Sequence, residues 1–88
     1  MSNRFELSDL RLFLYVVESG SITAGATRAH MALASASARI RNMEDALGTP
    51  LLERGRRGVQ TTDAGRALAH HARMMAQQME QLRDELGQ

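Results

Sequence analysis

Apolar residues recur at helical spacing in four stretches of the chain and lose that spacing in one. Leu10, Phe13, Leu14 and Val17 stand at i, i+3, i+4 and i+7, one stripe of an amphipathic helix over about residues 8–18. Ser8 precedes it as an N-cap, Asp9 lies in a first turn where the helix dipole favours an anion, and Ser19-Gly20 ends it. Ser21 reads as a second N-cap, opening a short helix from Ile22 to Ala29 that buries Ile22, Ala26 and Ala29. Gly25 inside that helix costs about 1 kcal/mol against Ala, which points to close packing on a neighbouring helix. The period breaks around His30–Ala32. It resumes from Leu33 to Leu47 with the stripe Ala36, Ile40, Met43 and Leu47, then stops at Gly48, and Pro50 blocks any restart.

Between Leu51 and Thr61 the helical period is absent. Leu51-Leu52-Glu53-Arg54 and Val59-Gln60-Thr61 flank a tip, Gly55-Arg56-Arg57-Gly58, which reads as a β-hairpin with a four-residue tip. Thr62 and Asp63 then open a long helix to about Leu86. Leu68, Ala72, Met75, Met79, Leu82 and Leu86 alternate at spacings of four and three, a heptad seam. A helix of that length exceeds about 30 Å and cannot fold its far end back onto so small a domain, so the seam calls for a partner helix.

Helix, helix, short turn, helix, hairpin, long helix is the order of a winged helix-turn-helix. The fold class expected is therefore mainly α: a three-helix core with a β-hairpin wing over residues 1–62, then a dimerising linker helix over 63–88. In such an arrangement the helix after the turn lies in the major groove and its N-terminal part meets base edges. Opposite the apolar stripe of that helix stand Ala34, Ala38, Arg41 and Asp45, with Ser35 and Ser37 at the flanks. Small side chains allow deep seating, serine hydroxyls bond phosphate or base, and alanine methyls can touch thymine methyls. Arg54, Arg56 and Arg57 make the hairpin a cationic finger suited to the DNA backbone or a narrow minor groove.

Composition narrows this reading. The chain has 88 residues and a net charge of +1, too little for a polybasic arm. The charge is nevertheless localised: residues 28–66 hold seven arginines against four acids, a net of +3, and each flank sums to −1. All 11 basic residues are Arg, whose rigid donor fork suits phosphate and guanine. Phe5, Phe13 and Tyr15 are the only aromatics, too few for single-strand binding by base stacking. The absence of cysteine excludes disulfides, cysteine-based zinc sites and cysteine catalysis. No apolar run approaches the roughly 18–20 residues of a membrane span, and the polar N-terminus is unlike a secretory signal, so a cytoplasmic protein is expected. His30, His70 and His71 form no metal or nucleophile spacing; the adjacent pair points about 100° apart on a helix. No enzyme, cofactor or metal is implied.

The segments Asp9-Leu10-Arg11-Leu12-Phe13, Gly20-Ser21-Ile22-Thr23-Ala24 and Ser37 with Ile40, then Glu44, Leu47-Gly48-Thr49-Pro50-Leu51, Glu53-Arg54, Arg57-Gly58 and Thr62-Asp63-Ala64-Gly65, follow one another without a gap. This ordered set resembles the N-terminal part of LysR-type transcriptional regulators over about residues 7–70. The resemblance implies a dimer on two-fold related double-stranded DNA, with linker helices paired antiparallel. It also implies a tetramer in a full-length protein, RNA polymerase as a further partner, and an effector-binding domain after the linker. The chain is thus expected to be an excised DNA-binding domain or a naturally short form. Carried over by position, the DNA-contacting set is Ser21 or Thr23, Leu33, Ala34, Ser35, Ser37, Ala38 and Arg41, with Arg54, Arg56 and Arg57 in the wing. Arg28 and Arg39 stay open between phosphate clamp, solvent and ion pair.

Several positions depart from the family pattern. Ala32-Leu33-Ala34 stands where Ser-Gln-Pro is common, Ala38 where Arg is common, Leu52 for Phe and Thr61 for Leu. Loss of hydrogen-bonding readers points to greater reliance on methyl contacts, phosphate contacts and DNA shape. The competing reading is a helical dimerisation or adaptor module acting through Met74, Met75 and Met79, for which the wing arginines would have no use.

Overall fold

The computed structural model describes residues 6–87. In order the elements are α1 (Leu7–Ser19), α2 (Ile22–Arg28), α3 (Leu33–Leu47), β1 (Leu52–Gly55), β2 (Gly58–Thr61) and α4 (Asp63–Glu85). The N-cap of α1 is Glu6 rather than Ser8: the Asp9 side chain accepts from the Glu6 N–H at 2.9 Å, and the Glu6 carboxylate accepts in return. Ser21 and Thr62 cap α2 and α4 as expected, accepting from the N–H groups of Ala24 and Gly65. Gly48, at φ 71°, closes α3.

The core lies where α1 meets α2, α3, the root of the hairpin and the first turns of α4. Leu12, Phe13, Val16, Ile40, Met43 and Leu51 are its largest fully covered side chains. The single stripe expected on α1 was too narrow. Leu12 and Val16 are buried alongside Leu10, Phe13 and Leu14, because α1 is packed on more than one side. Gly25 explains its own cost. A Cβ there would stand 2.5 Å from Val16 Cγ2 and 2.7 Å from the Val16 backbone, so α2 crosses α1 at a distance only glycine permits. Leu47 leaves the expected α3 stripe and is exposed at the helix end.

β1 and β2 pair antiparallel, with Leu52 opposite Thr61 and Gly55 opposite Gly58. That register shortens the expected four-residue tip to Arg56-Arg57. The hairpin is anchored at both ends. Glu44 of α3 accepts from the N–H groups of Leu51 (2.8 Å) and Leu52 (3.3 Å). Val59 N–H donates to Gly20 O at 3.0 Å. Gly58, at φ 107°, lies so close to that same carbonyl that a side chain would collide with it. Thr62 joins the hairpin to α4, its N–H donating to Leu51 O and its hydroxyl to Pro50 O.

The first turns of α4 belong to this core: Gly65, Ala69 and Ala72 are buried. No helix among the described residues is long and apolar enough to cross a membrane.

Candidate nucleic-acid interface

The turn between α2 and α3 is tight because His30 adopts φ 58°, the one non-glycine residue with positive φ among those described. Thr27 O and Ala26 O accept from His30 N–H and Met31 N–H, which aims α3 away from α2. Along α3, Ala36, Ile40 and Met43 turn inward. Leu33, Ala34, Ser35 and Arg41 are exposed, and Ser37 and Ala38 are half-buried. The N-terminal part of the helix therefore presents small and apolar groups with two hydroxyls between them. Its N-cap, Ala32, supplies no side-chain acceptor, in contrast to α1, α2 and α4. Thr23 is exposed at the start of α2, and Ser21 beside it is half-buried with its oxygen engaged in the cap.

The seven arginines of residues 28–66 divide into two groups that spacing alone could not separate. Arg39 Nη1 donates to Asp9 Oδ1 at 3.0 Å and to Ser8 Oγ at 3.3 Å, tying α3 to the start of α1. Arg28 Nη1 donates to Glu18 Oε1 at 3.1 Å, and its guanidinium lies 4.4 Å from the centre of the Tyr15 ring. Both positions left open by sequence are thus engaged with α1, and Arg66 is paired with Asp63. Among the described residues Arg41, Arg54, Arg56 and Arg57 have no carboxylate partner, and all four are exposed. The three in the hairpin line a shallow groove with Glu53 and Gln60. Glu44 was not foreseen as a site-building residue. Its carboxylate fixes the hairpin root to α3, and so sets the distance between that helix and the hairpin.

A model of the family described as "Bacterial regulatory helix-turn-helix protein, lysR family" matches residues 7–66. The chain belongs to the LysR family. The nitrogen assimilation regulatory protein nac of Escherichia coli (strain K12) is 40% identical over 72 residues, covering 82% of this chain and 24% of that protein. The transcriptional regulator BenM of Acinetobacter baylyi is 39% identical over 77 residues, covering 88% of this chain and 25% of BenM. This LysR-family chain thus spans about a quarter of the length of those curated relatives. Among solved structures, the complex of the BenM DNA-binding domain with benA site 1 DNA superposes with a TM-score of 0.87 at 36% identity, covering 93% of this chain and 95% of that one. The CbnR DNA-binding domain in complex with DNA gives 0.84 at 32% identity, covering 92% and 93%. The winged helix-turn-helix expected from the sequence is therefore the fold of this LysR-family chain, in a family of transcriptional regulators rather than enzymes.

On α4 the seam residues divide. Ala72 is buried in the chain's own core and offers no open face to a second helix, whereas Leu68 packs against that core and is half-buried. Met75, Leu82 and Leu86 are exposed and Met79 is half-buried. Met75, Met79 and Leu82, with Leu7, His71, Met74 and Gln78, line a mostly apolar groove of about 570 Å³.

Proposed function

We propose that this chain binds double-stranded DNA sequence-specifically as a homodimer on a dyad-symmetric operator. α3 enters the major groove, and the hairpin rests on the backbone or in the minor groove. The observation that carries the reading is the division of the arginines. Within the basic stretch 28–66, Arg28, Arg39 and Arg66 are paired with acids, and the four on α3 and the wing are left for an external anion. Arg11, Arg73 and Arg83, also without a carboxylate partner among the described residues, lie on α1 and α4. An adaptor without DNA would gain nothing from four uncompensated guanidiniums, which repel one another. The solved complexes of two relatives with DNA support the same reading. Residues 1–62 form the DNA-reading unit and 63–88 the linker, which pairs with a second copy through Met75, Met79, Leu82 and Leu86. In a longer chain further pairing gives a tetramer, and a promoter-bound dimer is placed to meet RNA polymerase.

The test is a titration of fluorescent duplexes, random and dyad-containing, at several salt concentrations. The wild-type chain binds, and the Arg54→Ala/Arg56→Ala/Arg57→Ala variant binds all sequences more weakly. The log–log salt slope falls by about 0.9 for each phosphate that is no longer neutralised. Absence of binding at low salt refutes the proposal.

A further inference from the structure

We propose that Leu33 is a specificity-determining residue that reads the 5-methyl group of thymine in the major groove. The inference rests on the DNA-binding reading above and names what the first turn of α3 recognises. Leu33 is the first residue of α3 and is 49% exposed, with no part in the core. The other exposed leucine of the helix, Leu47, lies at its opposite end, away from the portion that meets base edges in this kind of fold.

From Leu33 to Ala38 the helix carries no amide, guanidinium or carboxylate. Arg39 follows but is held by Asp9 and Ser8. Two-point hydrogen bonding to a purine edge is therefore unavailable until Arg41. A leucine pressed against base edges strips water from their donors and acceptors without replacing the lost hydrogen bonds, so G·C pairs are penalised. The one apolar feature in the major groove is the thymine methyl, against which the same leucine buries surface at no polar cost. Ala34 is exposed beside it but reaches less far, and Ala38 is half-buried. Leu33 has the length to make the contact.

The experiment begins with selection of bound duplexes from a random pool using the whole chain. Each thymine of the selected site is then replaced singly by deoxyuridine, which removes only the methyl group and keeps the base pair. One replacement per half-site is expected to lower affinity about fourfold, the value of one buried methyl. In the Leu33→Ala variant that same replacement should have no effect, and Leu33→Gln should select adenine at the position. Leu33 lies outside the core, so circular dichroism of both variants is expected to match the wild type. A site insensitive to deoxyuridine, or a drop in affinity that persists unchanged in Leu33→Ala, overturns the proposal. If no duplex is selected at all, the DNA-binding reading itself falls and takes this inference with it.

Discussion

Replacing Ala32 with serine or aspartate separates the stability of α3 from its function. Ala32 occupies the N-cap with φ −67° and ψ 147°, close to the backbone of Thr62, which caps α4. A hydroxyl at 32 can therefore accept from the Ser35 N–H without moving the chain, as Thr62 does from Gly65 at 3.0 Å. Such a cap is worth about 1 kcal/mol. For a domain of this size that raises Tm by roughly 4–8 °C. Aspartate adds about 0.3–1 kcal/mol from the helix dipole. On DNA the two variants should part. A carboxylate about 6 Å from a phosphate is repelled by about 0.7 kcal/mol even in bulk water, so Ala32→Asp binds about threefold more weakly than Ala32→Ser. Thermal melts followed by circular dichroism measure the first effect and fluorescence anisotropy the second. If neither variant is stabilised, the first-turn N–H groups of α3 are not open. If Asp binds as tightly as Ser, the start of α3 does not face the phosphates.

Gly25→Ala drives a methyl into the Val16 backbone and should destabilise the domain by about 1–3 kcal/mol, read as a lower urea midpoint at unchanged slope. Glu44→Ala leaves the N–H groups of Leu51 and Leu52 without their acceptor. A destabilisation of about 1–3 kcal/mol is expected in the same assay, with weaker DNA binding as the wing loosens. Changing Met75, Met79 and Leu82 together to Gln should abolish self-association in sedimentation, keep the folded circular dichroism spectrum, and remove the concentration dependence that dimer dissociation gives the wild-type melt. Cutting the chain after residue 65 would not be an equivalent test, because it removes Ala69 and Ala72 from the core.

The bounds of α3 were legible in the sequence because a clean helical period ends at Gly48 with Pro50 close behind. The cap of α1 was misplaced by two residues because the reciprocal Glu6–Asp9 pair outcompetes the single hydroxyl of Ser8. A one-face stripe also understated α1, since a helix enclosed by three others buries more than one face. Leu12 and Val16 could be assigned only once the neighbours were in place. In the candidate site, the exposed face of α3 and the wing arginines followed from period and composition. The roles of Arg28 and Arg39 did not, because they depend on which flank of α2 and α3 faces α1. Ala72 shows the same limit: a heptad pattern counts apolar residues but cannot tell which are consumed by their own chain.

The joint between wing and linker has a mechanical consequence. Gly65 approaches the Leu51 carbonyl so closely that no side chain fits between them, and Thr62 clasps both Pro50 and Leu51. Near that joint α4 has no slack, so it acts as a rigid arm of 23 residues, about 35 Å long. In the proposed dimer, a swing of about 10° about the far end would carry the reading head by about 6 Å along the duplex, given that arm length. This is nearly two base-pair steps of about 3.4 Å each. Small changes in how two seams pack would thus be read out as large changes in operator spacing, with the protein serving as a ruler whose angle, rather than its length, is adjustable.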